Sequence, residues 1–231
     1  MNPIVDIAPF SITWIIGIIA VIVAIILIIQ FAIRVPPDTR RIFSIILGMI
    51  LILRELWKNW FIFNLGIWEL KTALPLHLCG ISAILAGLML FKTYQKGFEF
   101  LALISLTGAM HAIFTPQLNH GASIAQLIEY YIGHGGVILV PIYLAIVDGY
   151  RVKKNAWRNV FIYCQVLLLF IGMINLILDA NYMYLCISPI ADNPLLLTNK
   201  WPYYVPMIIF FVFLHNLGIF YIYKSIGKVK S

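Results

Sequence analysis

Residues 12–33 read ITWIIGIIAVIVAIILIIQFAI, 22 residues without a charge. As a helix they extend about 33 Å, enough to cross a hydrocarbon core of about 30 Å. Further apolar runs follow at residues 42–53, 75–91, 98–114, 130–147, 160–178 and 203–223. Apolar residues make up 62% of the 231, and no stretch is polar enough to form a separate soluble domain. The expected fold is therefore all-α and integral to the membrane. It is a seven-transmembrane helix bundle, forming one polytopic domain over residues 1–231.

The runs differ in quality. The second has only 12 clean apolar residues, so its helix must carry Arg54, Glu55 and Lys58 into or near an interface. The fifth helix is expected to begin near Ser123, with Pro141 as a kink. Twelve of the 16 Lys and Arg lie in the segments 34–41, 92–99, 148–158 and 224–231. The remaining four, Arg54, Lys58, Lys71 and Lys200, lie in the alternate segments. This bias puts the N-terminus outside and the C-terminus in the cytoplasm. The net charge of +7 thus reads as topology, and a nucleic-acid partner is not expected. No basic region precedes the first run, so no cleaved signal peptide is expected. Three widely spaced cysteines, Cys79, Cys164 and Cys186, suit neither a disulfide framework nor a zinc site.

With this topology nearly all unusual polar residues fall at the outer helix ends, and only His215 lies deeper. One stretch stands out, Tyr130-Tyr131-Ile132-Gly133-His134-Gly135-Gly136. An ionisable imidazole in hydrocarbon is expensive and marks a functional site by default. A second is Leu74-Pro75-Leu76-His77-Leu78-Cys79-Gly80. Pro75 suits the first position of a helix, which puts Cys79 behind the first turn, where a thiol is activated. The free N–H groups of that turn suit a developing oxyanion. Cys79 and His134 are each the fifth residue of an apolar run, so matched depth lets them meet. His77, two residues from Cys79 on a helix, faces away and is left to substrate. The competing readings are plain ones. Cys79 is either a nucleophile, a small packing residue or half of a disulfide with Cys186. His134 is either a base or a hydrogen bond to a neighbouring helix.

Other polar residues are candidates for substrate binding. Arg54 and Lys58, at i and i+4, either clamp a phosphate or anchor the helix among lipid headgroups. Glu129 either orients His134 or marks the last wet residue of its helix. His111 either faces substrate or is tied up with Thr115. Asn175 and Asp179 share a helix face, and with Asn181 and Tyr184 they either line a headgroup pocket or form a wet helix end. No His, Cys and carboxylate set has metal spacing, and no metal or soluble cofactor is expected.

The motifs together resemble a known family. The stretch at 74–79, Phe114-Thr115-Pro116, Ile132-Gly133-His134-Gly135 leading to Pro141, Asn181-Tyr182-Met183-Tyr184-Leu185 and Trp201-Pro202-Tyr203-Tyr204 resemble the YwaF-like bacterial integral membrane family. That family is similar to eukaryotic transmembrane protein 164, a cysteine-dependent acyltransferase acting on lysophospholipids. It is more distantly similar to the androgen-induced-protein-1 type of lipid ester hydrolases. The resemblance implies a bacterial cytoplasmic membrane and a phospholipid or lysolipid partner. It also implies Cys79 as acyl-carrying nucleophile and His134 as base. Two other classes fit less well. A transporter of two three-helix bundles would show an internal repeat, and none is visible. A retinal protein would need a lysine in the seventh run, which has none.

Overall fold

The computed structural model describes residues 4–121, 123–189 and 196–225. The tail lysines Lys228 and Lys230, counted above for topology, lie outside them. Eight α-helices follow in order: α1 (Ile12–Arg34), α2 (Pro37–Asn64), α3 (Leu70–Ala73), α4 (Leu78–Phe91), α5 (Gln95–Phe114), α6 (Ile124–Ile146), α7 (Ala156–Leu178) and α8 (Tyr204–Ser225). A short 3₁₀ turn, Tyr182–Tyr184, sits between α7 and α8.

Five of these helices, α1, α5, α6, α7 and α8, are long and apolar enough to cross a membrane. This is fewer than the seven expected. Of the other two candidates, α2 has 28 residues but carries Arg54, Glu55 and Lys58. Helix α4 has only 14 residues. It begins at Leu78, not at Pro75, because residues 74–77 are extended and bent rather than helical. Exposed Ile16, Ile19, Val23, Leu27 and Ile33 on α1, and Leu169, Met173, Leu176 and Ile177 on α7, form surfaces that suit lipid.

Local chemistry sets the helix ends. Ser123 caps α6 through a full capping box with Gln126, which fixes the predicted start. Pro37 begins α2, where its missing N–H costs nothing. Arg41 donates to the carbonyls of Leu90 and Phe91, and Arg40 to that of Ala32. The basic turn thus caps the C-terminal ends of α4 and α1, where a cation meets the negative end of the dipole.

Helix α5 is the centre of the bundle. Phe98, Leu101 and Ala102 are fully buried, packed with Val140, Tyr143 and Leu144 of α6 and with Ala86 and Met89 of α4, and Leu103 packs with Val160 of α7 and Phe220 of α8. Residues Leu101–Ser105 form a π turn within it. Such turns often mark functional regions. Here Ser105 meets Ser82 of α4, oxygen to oxygen at 2.8 Å in a fully buried pair. Helices α2 and α4 cross at paired glycines. A Cβ on Gly48 would stand 2.8 Å from the Gly87 carbonyl oxygen, so only hydrogen fits there.

Sequence reasoning missed two features. Val5–Asp6 pairs antiparallel with Gln117–Leu118, an addition to an all-α expectation, and it ties the N-terminal segment over the loop after α5. The second concerns Asn175. It is buried and holds the backbone of Tyr182 at both ends, donating to its carbonyl at 2.9 Å and accepting its N–H at 2.8 Å. Asn175→Leu is therefore expected to destabilise the fold by about 2–4 kcal/mol, since two buried backbone groups lose their partners. Denaturant titration in detergent checks this, and an unchanged midpoint would contradict it.

Candidate functional site

One cavity of about 460 Å³ gathers most of the candidate residues. Cys79, His134, His77, Arg54, His111, Glu129 and Tyr184 all line it. Asn175, Asp179 and Asn181 do not. Asn175 is consumed by Tyr182, as above. Asp179 is the exposed left-handed cap of α7. Asn181 spends its side chain on its own loop, accepting from the Cys186 and Ile187 N–H groups and donating to the Ile187 carbonyl. The expected headgroup pocket at these three is therefore a scaffold.

Cys79 is the second residue of α4, in its first turn. His77 is the N-cap residue but makes no capping bond with its side chain. The first-turn N–H groups of Leu78, Cys79 and Gly80 thus keep the orphan character of a helix start. All three cysteines are free, so no bridge joins Cys79 to Cys186. His134 is the eleventh residue of α6, well inside that helix. Equal depth by counting therefore fails. The two residues nevertheless share the cavity, on helices α4 and α6 that pack against each other.

Tyr130 neighbours His134. Its ring lies 4.1 Å from the His134 ring, and it lines the same cavity as Cys79 and Tyr184. Its hydroxyl donates to the Ala112 carbonyl at 2.7 Å, which holds it in place. His134 Nδ1 lies 2.9 Å from the Tyr130 carbonyl oxygen. A carbonyl only accepts, so Nδ1 carries the proton and Nε2 is left with its lone pair. That is the tautomer a general base needs.

The charged residues form a closed network. Arg54 pairs with Glu129 and, at 2.5 Å, with Glu55; Lys58 also pairs with Glu55. The Arg54, Glu55 and Glu129 side chains are largely buried. This corrects two readings. Arg54 and Lys58 are not an open phosphate clamp or free interface anchors, because carboxylates already neutralise them. Glu129 does not orient His134, because it serves Arg54. One donor is left over: Arg54 Nε is buried and has no acceptor among the described residues. His120, in the loop above, adds no charge at pH 7. Burial first, and then Lys58, hold its imidazole below the usual histidine range.

Gly133 makes room for this network. A Cβ there would stand 2.6 Å from Arg54 Nη1. Gly133→Ala is expected to push the guanidinium off its carboxylates and to cost about 1–3 kcal/mol, as overpacking does. Thermal unfolding in detergent reads this, and a wild-type curve would refute it.

Leu168, Ile208, Ile209 and Val212 add apolar side chains to the lining. His215 joins this lining, and its ring stands edge-on to His111 at 5.0 Å. The Thr115 back-bond expected at His111 is present, its hydroxyl donating to the His111 backbone carbonyl at 2.9 Å, and it does not involve the ring, which lines the cavity. Gln165 also lines the cavity, and its Nε2 is buried without a partner among the described residues. A glutamine inside an apolar run was the signal for it.

A polytopic helical membrane protein with a cysteine, several histidines and an ion network around one internal cavity is the class these observations define. The chain matches the model of the TMEM164 family over residues 7–221 and belongs to that family. Neither the comparison with curated proteins nor that with solved structures gives a match.

Proposed function

We propose that the protein is a membrane acyltransferase that moves a fatty acyl group between phospholipid and lysolipid molecules through a thioester on Cys79. The observation that carries this reading is that Cys79 and His134 line one cavity, with His134 Nε2 left with its lone pair. Membership of the TMEM164 family is consistent with an acyltransferase role. The cavity also has the size of a small-molecule site, and its lining combines polar and apolar side chains, as a headgroup and a tail require.

In the first step Cys79 Sγ attacks the ester carbonyl carbon while His134 Nε2 takes the thiol proton. The tetrahedral oxyanion collapses, the carbon–oxygen bond to the glycerol breaks, and His134 returns the proton to the departing alkoxide. In the second step a lysolipid hydroxyl attacks the thioester and gives its proton to His134. The thiolate leaves and recovers that proton. Arg54 lines the cavity with its charge balanced by Glu55 and Glu129. His77, His111 and Tyr184 contact substrate from the cavity wall. Water in place of the lysolipid makes the same site a lipid ester hydrolase, the kinship read from the motifs.

The reading includes seven membrane crossings, by α1, α2 and α4 to α8, with the N-terminus outside. Internal pairing of the α2 charges supports its crossing, and in the bent segment before α4 the Leu74 N–H is satisfied by the Tyr182 hydroxyl, as backbone groups in a membrane must be. The basic bias supports the orientation, and the likeness to a bacterial family supports a cytoplasmic membrane. Cys186 is exposed in the loop before α8, so a membrane-impermeant maleimide should label it from outside on intact cells. Labelling only after permeabilisation would reverse the orientation.

The activity is tested in vesicles holding the purified protein, deuterated-acyl phosphatidylcholine and lysophosphatidylethanolamine. Deuterated diacyl phosphatidylethanolamine is the expected product. Free deuterated fatty acid alone would make the protein a hydrolase, and neither product would contradict the reading.

A further inference from the structure

The cavity holds two histidines fixed in opposite tautomers. His134 keeps its proton on Nδ1, as argued above. His77 does the reverse. Its Nδ1 accepts the Met183 backbone N–H at 3.3 Å, so Nδ1 is bare and the neutral ring carries its proton on Nε2. The ring cannot easily turn, because it lies 5.3 Å from each of the Tyr182 and Tyr184 rings.

The surroundings are built to hold that state. Met183 and Tyr184 both have positive φ, 57° and 55°, which non-glycine residues seldom adopt. Such conformations persist where neighbouring structure over-determines them, and they cluster at functional sites. The neighbour here is Tyr182, clamped by Asn175 at both its N–H and its carbonyl. Its hydroxyl also accepts the Leu74 N–H and donates to the Leu70 carbonyl. This string of contacts fixes the Met183 N–H against His77. It gives the buried Asn175 and the left-handed turn a common purpose.

We propose that His77 Nε2–H is an oxyanion donor for the acyl-transfer step, acting beside the orphan N–H groups of the first turn of α4. The inference rests on the acyl-transfer reading above. As Cys79 Sγ adds to the ester, charge gathers on the carbonyl oxygen, and the Nε2–H hydrogen bond to it shortens. The proton stays on His77 throughout; when the intermediate collapses the carbonyl re-forms and the bond relaxes. The division of labour follows from the tautomers. His134 offers a lone pair and removes a proton, whereas His77 offers an N–H and removes none.

The test uses purified protein in detergent micelles with methylumbelliferyl oleate, whose fluorescent burst reports acylation directly. His77→Phe keeps a ring between the two tyrosines but loses the donor. Its acylation rate should fall about 100-fold or more, the loss typical of one oxyanion donor, with KM within about threefold. His77→Gln restores an N–H near the Nε2 position and should recover to within about tenfold of wild type. In both variants Cys79 should react with N-ethylmaleimide at the wild-type rate, read by peptide mass spectrometry. A wild-type burst in His77→Phe overturns the inference. So does an equal loss in the two variants, or a loss matched by slower alkylation, since either would make His77 a packing residue. If Cys79→Ala also gives a full burst, the acyl-transfer reading itself fails. A silent Cys79→Ala with a full-rate His77→Phe sinks this inference alone.

Discussion

Cys79→Ala should bring acyl exchange in vesicles down by at least about 10³-fold, because the covalent route disappears with the nucleophile. The fold should survive. Cys79 sits in the first turn of a helix, and the hydroxyl of Ser82, which binds the Leu78 carbonyl at 2.6 Å, holds that turn without it. Loss of a single sulfur is within the range the surrounding packing absorbs. Size-exclusion profile and detergent unfolding should therefore match wild type while exchange vanishes. Wild-type exchange in this variant would remove Cys79 from the chemistry.

The second large effect is at His134. His134→Ala should lower exchange by about 10²–10⁴-fold, the usual contribution of a positioned base. The acid limb of the kcat/KM profile, which reports the base of the free enzyme, should go with it. His134 donates only one resolved hydrogen bond, to the Tyr130 carbonyl of its own helix, so its removal leaves no distant group unpaired. A profile that keeps its acid limb would assign the base to another group.

Much of this architecture was legible because hydrocarbon imposes simple rules. A run such as residues 12–33 has one stable form in lipid, and α1 covers it with one residue to spare. Ser123 announced the start of α6, and the capping box explains why. Polar side chains in apolar runs led to Cys79, His77, His111 and His134, and all four line the cavity. The failures came where pairing across helices decides the outcome. No spacing within α2 reveals that Arg54 will meet Glu129 from α6, although each needed a partner in a dry place. Asn175 looked available because its partner, the Tyr182 backbone, has no signature in side-chain chemistry. His215, expected deeper than the other polar residues, still lines the cavity, because its ring packs edge-on to His111 of another helix. Pro75 suggested a helix start that the chain delays to Leu78, and that delay freed His77 from the helical geometry that would have turned it away.

The central claim is a bond between Cys79 sulfur and a fatty acyl carbon. Intact mass spectrometry of the purified protein, taken just after exposure to phosphatidylcholine and before any lysolipid is added, measures it most directly. One added acyl mass is expected, mapping to the peptide with Cys79, discharged by neutral hydroxylamine and lost on addition of lysolipid. Unmodified Cys79 in protein that is turning over lipid, or an adduct carried by a different residue, would contradict the account.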